Sequence, residues 1–272
     1  MGLFDNWFKT INLPTKNPAI INALKQLQST SLSYNERRSV LTKLQSFFVT
    51  SPDANDKKAI SQSLLEIASN DESIQIRESA LDMTGNIIDN CIQFYNHPTL
   101  HPGARLGLSI ISGHAVPCLI KLAETKGDQE KELRRKAFWI LQKIAPLALD
   151  DALLAFFVRS LNEKNANIRM AVISAFEGIV RLCDDATKKR IAQAALAPLC
   201  QALNDSRIWI NAARTLGDLG SYAIDAVECL YQKLDDEDGE WAASALRNIT
   251  GAGYGNKEKT KWEQWIQENK NK

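Results

Sequence analysis

A short helical pattern recurs along this chain and constrains its fold more than any other feature. The stretch "IWINAARTLGDL" (208–219) aligns with "IRMAVISAFEGI" (168–179), "LRRKAFWILQKI" (133–144) and "IRESALDMTGNI" (76–87). Two weaker copies flank them, "ERRSVLTKLQSF" (36–47) and "DGEWAASALRNI" (238–249). Apolar or small residues return at i, i+4, i+7, i+8 and i+11, which is one face of an α-helix. A small residue at i+4 lets a second helix approach closely. Ala80, Ala137, Val172, Ala212 and Ala242 are therefore expected at buried helix contacts.

Between consecutive copies lies another amphipathic segment: "KKAISQSLLEIAS" (57–69), "AVPCLIKLAET" (115–125), "LDDALLAFFVRSLNE" (149–163), "TKKRIAQAALAPLCQALN" (187–204) and "AIDAVECLYQKL" (223–234). Polar turns such as "SNDES", "NEKNAN" and "NDSR" separate the units and offer Asp, Asn or Ser as N-caps. No period-two alternation competes with this pattern, so the chain reads as all-α. One helix pair cannot bury both its faces, so the pairs must stack around a continuous core.

The second position of the pattern is Arg in four copies, Arg37, Arg77, Arg134 and Arg169, whereas Trp209 and Gly239 hold it in the last two. This "(I/L)Rxx(A/V)xxA" helix after a turn Asp or Asn resembles HEAT repeats, over residues 34 to about 250. The resemblance implies a right-handed α-solenoid of about six HEAT-like helix pairs. It also implies a ladder in which each motif Arg meets a turn residue of a neighbouring repeat, with Asp71, Asp128 and Asn165 as candidates for Arg77, Arg134 and Arg169. The ending "ITGAGYGNKEKTKWEQWIQENK" (249–270) is similar to that of many bacterial HEAT-repeat proteins, where a Gly-rich loop leads to a Trp-containing cap helix. The expected organisation is a lead-in and capping segment at 1–33, repeats over 34–250 with an insertion near 89–104, and a cap at 251–272.

Composition narrows the function. The 33 Lys and Arg nearly balance 32 Asp and Glu, so the overall charge that draws a chain to nucleic acid or acidic lipid is missing. Five unpatterned cysteines without a CxxC read as free thiols in a reducing compartment. The start "MGLFDNWFKTINLPTKNP" lacks a secretory pattern, and Asn6 departs from the myristoylation pattern. No stretch reaches the ~18 unbroken apolar residues of a membrane span. A cytoplasmic location without membrane association is the expectation.

Sequence motifs for chemistry are few: no GxSxG, P-loop, HExxH or GxGxxG occurs. "GAGYG" (251–255) follows no strand and reads as a turn before the cap helix. His97, His101 and His114, with Cys118, have spacings compatible with metal ligation, but "HPTLHPG" reads as a surface loop. Neither a metal nor a cofactor is expected. The carboxylate pairs Asp150–Asp151 and Asp184–Asp185 and the run "DDEDGE" (235–240) stand at helix ends, where carboxylates favour the following N-terminus. The basic runs "RRK" (134–136) and "KKR" (188–190) read as polar helix faces.

These readings lead to a non-enzymatic scaffold or adaptor that binds a protein partner along the concave surface of the solenoid, lined by the second helix of each pair. Its candidate contact residues are Lys121, Glu124, Arg159, Lys189, Gln193, Glu228 and Gln232, a set of both charge signs that suits a protein better than a polyanion. The alternative is a HEAT-like DNA-binding protein or a DNA glycosylase-type enzyme, which needs a basic groove with aromatic residues beside a carboxylate. A HEAT-like chromophore lyase is a third option, echoed only by "EWAASALRN".

Overall fold

The computed structural model describes residues 14–27, 29, 31–94, 103–127 and 129–269. Among them thirteen α-helices and one 3-10 helix occur and no strand. The chain divides into two compact units, Met1–Ile144 and Ala145–Lys272.

In the first unit α1 (Pro18–Leu27) leads into α2 (Tyr34–Thr50), α3 (Ala54–Asn70), α4 (Ile74–Gln93), α5 (Gly103–Ala123) and α6 (Lys131–Ala148), the last running past the division. Helices α2, α4 and α6 carry the motif copies, and α3 and α5 are the second helices between them. α2 packs beside α4, and α3 beside both α4 and α5. The starts of these helices follow local chemistry. Ser33 and Glu36 close a capping box on α2, and Asp53 and Ser73 accept the first free N–H groups of α3 and α4. Ahead of α1, Thr15 and Asn17 donate to the buried carboxylate of Asp56, which Ser51 also reaches at 2.7 Å.

In the second unit α7 (Asp151–Ser160), α8 (Ala166–Leu182), α9 (Asp185–Ala202), α10 (Trp209–Asp218), α11 (Val227–Tyr231), α12 (Glu240–Thr250) and α13 (Lys259–Asn269) follow. α8, α10 and α12 carry the motif and pack in that order, while α9 lies against α7 on one side and the 3-10 helix on the other. Asp150, Asn165 and Asp184 cap α7, α8 and α9. The motif core is as the pattern requires. All five offset positions are buried in each of the four strong copies, and Ala80, Ala137, Val172, Ala212 and Ala242 are fully enclosed. The hydroxyls of Thr84 and Thr215, buried among them, donate to carbonyls one turn back in their own helices.

Several expectations are corrected. The second helix expected at 115–125 begins at Gly103, because "GARLGLSIISGH" continues the same apolar helix. Averaged over Ala104–Ala123 its mean hydropathy is 1.5, enough by length and composition to cross a bilayer, although polar residues break the run; half of that stretch is buried inside the protein. The helix expected at 223–234 is mostly absent. Gly220, at φ 61°, turns the chain through the left-handed region, a 3-10 helix covers Gly220–Ala226, and α11 is a single short turn beyond it.

The cap also sits differently from the expectation. Trp262 is 0% exposed, donates its indole N–H to the Gly255 carbonyl at 3.1 Å and meets Tyr254 edge-on. α13 rests more closely on α11 than on α12. The GAGYG turn does lead into this cap: Gly251 ends α12 at φ 74°, and Arg247 holds the Tyr254 carbonyl.

Candidate functional site

Three of the four motif arginines, Arg37, Arg77 and Arg169, form rungs, one repeat out of register with the expected partners. Arg37, rather than Arg77, pairs with Asp71. Arg77 holds the Ala68 carbonyl at the end of α3 and reaches Glu130, 2.9 Å away, in front of α6. Arg169 takes the carbonyls of Glu163 and Lys164 and pairs with Asp205, 2.5 Å away, in front of α10. Asn165 is the N-cap of α8, and Asp128 lies outside the described residues. Each of these arginines therefore reaches forward, to the acid that precedes the next motif helix. Arg77 and Arg169 also cap the turn before their own helix, where carbonyl ends favour a cation. Burial pushes the Asp205 carboxyl up, but the Arg207 backbone N–H and the Arg169 guanidinium outweigh it and hold the group below the usual carboxylate range.

The rung at Arg169 also floors an open cleft of about 340 Å³ whose walls include Asn162, Lys164, Pro198 and Gln201. Its charged floor is internally satisfied, which suits a structural crevice.

All seven predicted contact residues are exposed: Lys121 on α5 and Glu124 just past its end, Arg159 on α7, Lys189 and Gln193 on α9, Glu228 on α11 and Gln232 at its end. They belong to the second-helix layer, and none of them lines the cleft. The structure thus places them on the surface without gathering them into one pocket.

The motif-helix layer carries exposed aromatic side chains. Trp139 of α6, in the first unit, is 42% exposed, and Trp241 of α12, in the second, is 44% exposed. Trp139 lies over Gly85 of α4, and the Lys143 ammonium stands 3.2 Å from its ring centre. Lys143 is itself paired with Asp89 at 2.5 Å and Lys136 with Asp82 at 2.5 Å, both bridging α6 to α4. In the second unit Glu177 of α8 accepts from Arg181 and from Arg214 of α10, each at 2.7 Å, while Arg181 also reaches Asp218. The Arg214 guanidinium then covers the Trp241 ring at 5.5 Å. The signal was available: position i+6 for Trp139 and i+3 for Trp241 both fall off the buried stripe. Trp209, in the motif Arg position, is half-buried beside Lys233.

The residues considered for chemistry have structural partners. His114 donates through Nδ1 to the Ile110 carbonyl at 2.9 Å, and its Nε2 meets the Gln62 amide at 3.3 Å. Cys118 bonds Ser69 and the Leu65 carbonyl, so both side chains fasten α5 to α3. His97 and His101 lie outside the described residues. Among the described residues no three His, Cys, Asp or Glu side chains are grouped to share a metal ion. Asp150 and Asp184 cap helices, and Asp235, Asp236 and Glu240 pair with Lys259, Lys233 and Arg247.

No protein-family model matches the chain, and no curated protein matches it. Solved structures do. A designed armadillo repeat protein in complex with the peptide (KR)4 is similar at TM-score 0.60 and 17% identity, covering 88% of this chain and 100% of its own. Importin beta is similar at TM-score 0.55 and 16% identity over 93% of this chain and 34% of its own. A structure described as the basis of microtubule plus-end tracking by XMAP215, CLIP-170 and EB1 is similar at TM-score 0.54 and 16% identity, covering 86% and 90%. At such identities the likeness establishes the fold: a HEAT/armadillo-like solenoid of helix pairs.

Proposed function

We propose that this chain is a non-enzymatic repeat scaffold that binds a protein partner along an exposed face of its stacked helices. The observation that carries the reading is an exposed indole on a motif helix of each unit, Trp139 in the first and Trp241 in the second, each among charges already matched to one another. Large aromatic side chains and arginine are the residue types that dominate the centres of protein interfaces. Cations neutralised by neighbouring carboxylates give a polyanion little to hold, which favours a protein over nucleic acid. The designed repeat protein of similar fold is in complex with a peptide, which supports a segment-binding use of such helices. The rival surface is the second-helix layer, with Lys121, Glu124, Arg159, Lys189, Gln193, Glu228 and Gln232.

The test uses the full chain as bait in an extract of its source cells, beside the variants Trp139→Ala/Trp241→Ala and Arg159→Glu/Lys189→Glu. Loss of the enriched protein with the tryptophan variant places binding on the motif-helix face. Loss with the charge reversal alone moves it to the second-helix layer. Retention in both, or retardation of duplex DNA at physiological salt, overturns the reading.

A further inference from the structure

In the second unit the turns that join a motif helix to its second helix repeat one chemistry. "LALDD" (147–151), "LCDD" (182–185) and "YAID" (222–225) each set apolar residues beside carboxylates. Leu147 at the end of α6 is 44% exposed, Leu182 at the end of α8 73%, and Tyr222 and Ile224 beyond α10 37% and 46%. One exposed apolar side chain is ordinary, but these fall on adjoining helix ends. A Cβ on Gly178 of α8 would lie 3.8 Å from Pro146, and Arg181 of α8 donates to Asp218 of α10 at 3.1 Å. The start of α9 ties the same ends together. Arg190 donates to the Leu149 carbonyl at 2.9 Å, and Lys188 to the Asp218 carbonyl at 3.0 Å.

The charge of this edge follows from those contacts. Lys188 and Arg190 are turned to backbone carbonyls, and Arg181 to Glu177 and Asp218. Among the described residues only Lys189 of this basic run has no such partner. The carboxylates are more open. Asp151 is 90% exposed, 3.5 Å from Arg190, and among the described residues Asp185 and Asp225 form no ion pair. The edge thus carries, at each step, an apolar side chain and a carboxylate that a partner can reach.

We propose that this edge docks an extended protein segment in which an apolar residue and a Lys or Arg recur every third residue. The apolar side chains of the segment cover Leu147, Leu182 and Ile224, and its cations meet Asp151, Asp185 and Asp225. The period follows from geometry. Neighbouring helices pack about 8–10 Å apart and an extended chain advances about 3.3 Å per residue, so three residues span one step. Trp241 stands in the first turn of α12, whereas this row lies at and beyond the last turns of the motif helices, so the edge is a second surface.

The probe is fluorescein-labelled (Leu-Lys-Ser)4, titrated with the full chain by fluorescence anisotropy. Its controls are (Leu-Glu-Ser)4 and a peptide of the probe's composition with the period scrambled. The expected result is saturable binding of the probe alone, weakening as salt rises. Leu182→Ser/Ile224→Ser should weaken it at least about tenfold. Asp185→Asn/Asp225→Asn should weaken it and flatten its salt dependence. Trp241→Ala should leave it unchanged, so that this edge and the surface proposed above stand or fail separately. Circular dichroism and Tm establish that the variants fold; where the serine pair does not, the isosteric asparagine pair decides. Equal binding of either control peptide, or an affinity unchanged in both edge variants, would overturn the proposal. So would flotation with phosphatidylserine vesicles, or a concentration-dependent dimer, that Leu182→Ser/Ile224→Ser abolishes, since lipid or a second copy would then cover the row.

Discussion

Gly217 of α10 faces the backbone of Ala245 of α12 so closely that a Cβ on residue 217 would lie 2.9 Å from the Ala245 Cα. Gly85 has a similar numerical clearance, 2.8 Å, but there the opposing atom is the far edge of the Trp139 indole. The two glycines should respond differently to one added methyl group. Backbone cannot move without shifting a whole helix, so Gly217→Ala should overpack the contact and cost about 1–3 kcal/mol, partly masked by the better helix propensity of Ala. Gly85→Ala should swing the exposed indole aside and change stability by less than about 1 kcal/mol. Urea denaturation of the two variants checks this, and equal losses would contradict it.

The rung from Arg169 to Asp205 makes a prediction about acid. The folded state holds the Asp205 carboxyl below its ordinary value, chiefly against burial and through the Arg207 N–H and Arg169. Below its unfolded pKa the unfolded chain binds the proton more readily than the folded one. The stabilisation is therefore present above the ordinary carboxylate range and is lost as pH falls through the lower folded value. Asp205→Asn should be less stable than the parent at pH 7, and the gap should narrow as pH falls from about 5 to about 2. A gap independent of pH would show that the pair contributes through shape alone.

At the alkaline end the buried pair Lys57 and Cys91 act in opposite directions. Burial raises the Cys91 thiol from 9.0 to about 11, so between those values the folded state binds more protons and stability falls as pH rises. Burial lowers Lys57, whose ammonium donates to the Phe48 carbonyl and lies over the Phe48 ring. The unfolded chain then binds more protons at this group, and its contribution rises with pH toward 10.5. Removing the thiol should leave the lysine effect unopposed. Cys91→Ala should lose less stability than the parent between pH 9 and pH 11, measured by denaturation midpoints at fixed salt.

Trp262 closes the end of the repeat stack, with no side-chain surface left in water. Trp262→Ala should cost about 3–5 kcal/mol by the cavity and the lost transfer energy. Trp265, only half-buried, should cost less when truncated in the same way. Thermal unfolding with light scattering checks both, since an uncovered terminal repeat promotes association. A neutral Trp262→Ala would mean that α13 is an appendage rather than a cap.

Much of this architecture is legible in the amino-acid sequence because its causes are local. The stripe of Ala80, Ala137, Val172 and Ala212 repeats at helical spacing, and a stripe that narrow and that small can only face another helix. Caps such as Ser33, Asp150 and Asp184 are set within three residues of the N–H groups they serve. The cap helix and its glycine turn were legible for the same reason.

What the tertiary structure decided is whatever depends on residues far apart in the chain. Arg37 and Asp71, or Arg169 and Asp205, are brought together by stacking, so the nearby turn residues expected for the motif arginines, Asp71 for Arg77 and Asn165 for Arg169, were not their partners. Trp241 acquired its covering cation only when Arg214 from another helix came to stand over it. Periodicity determines which face of a helix is buried, because that follows from 3.6 residues per turn. It carries no information about which neighbour lies across that face. That is set by how whole helices pack, and there the sum of many weak contacts outweighs any local preference.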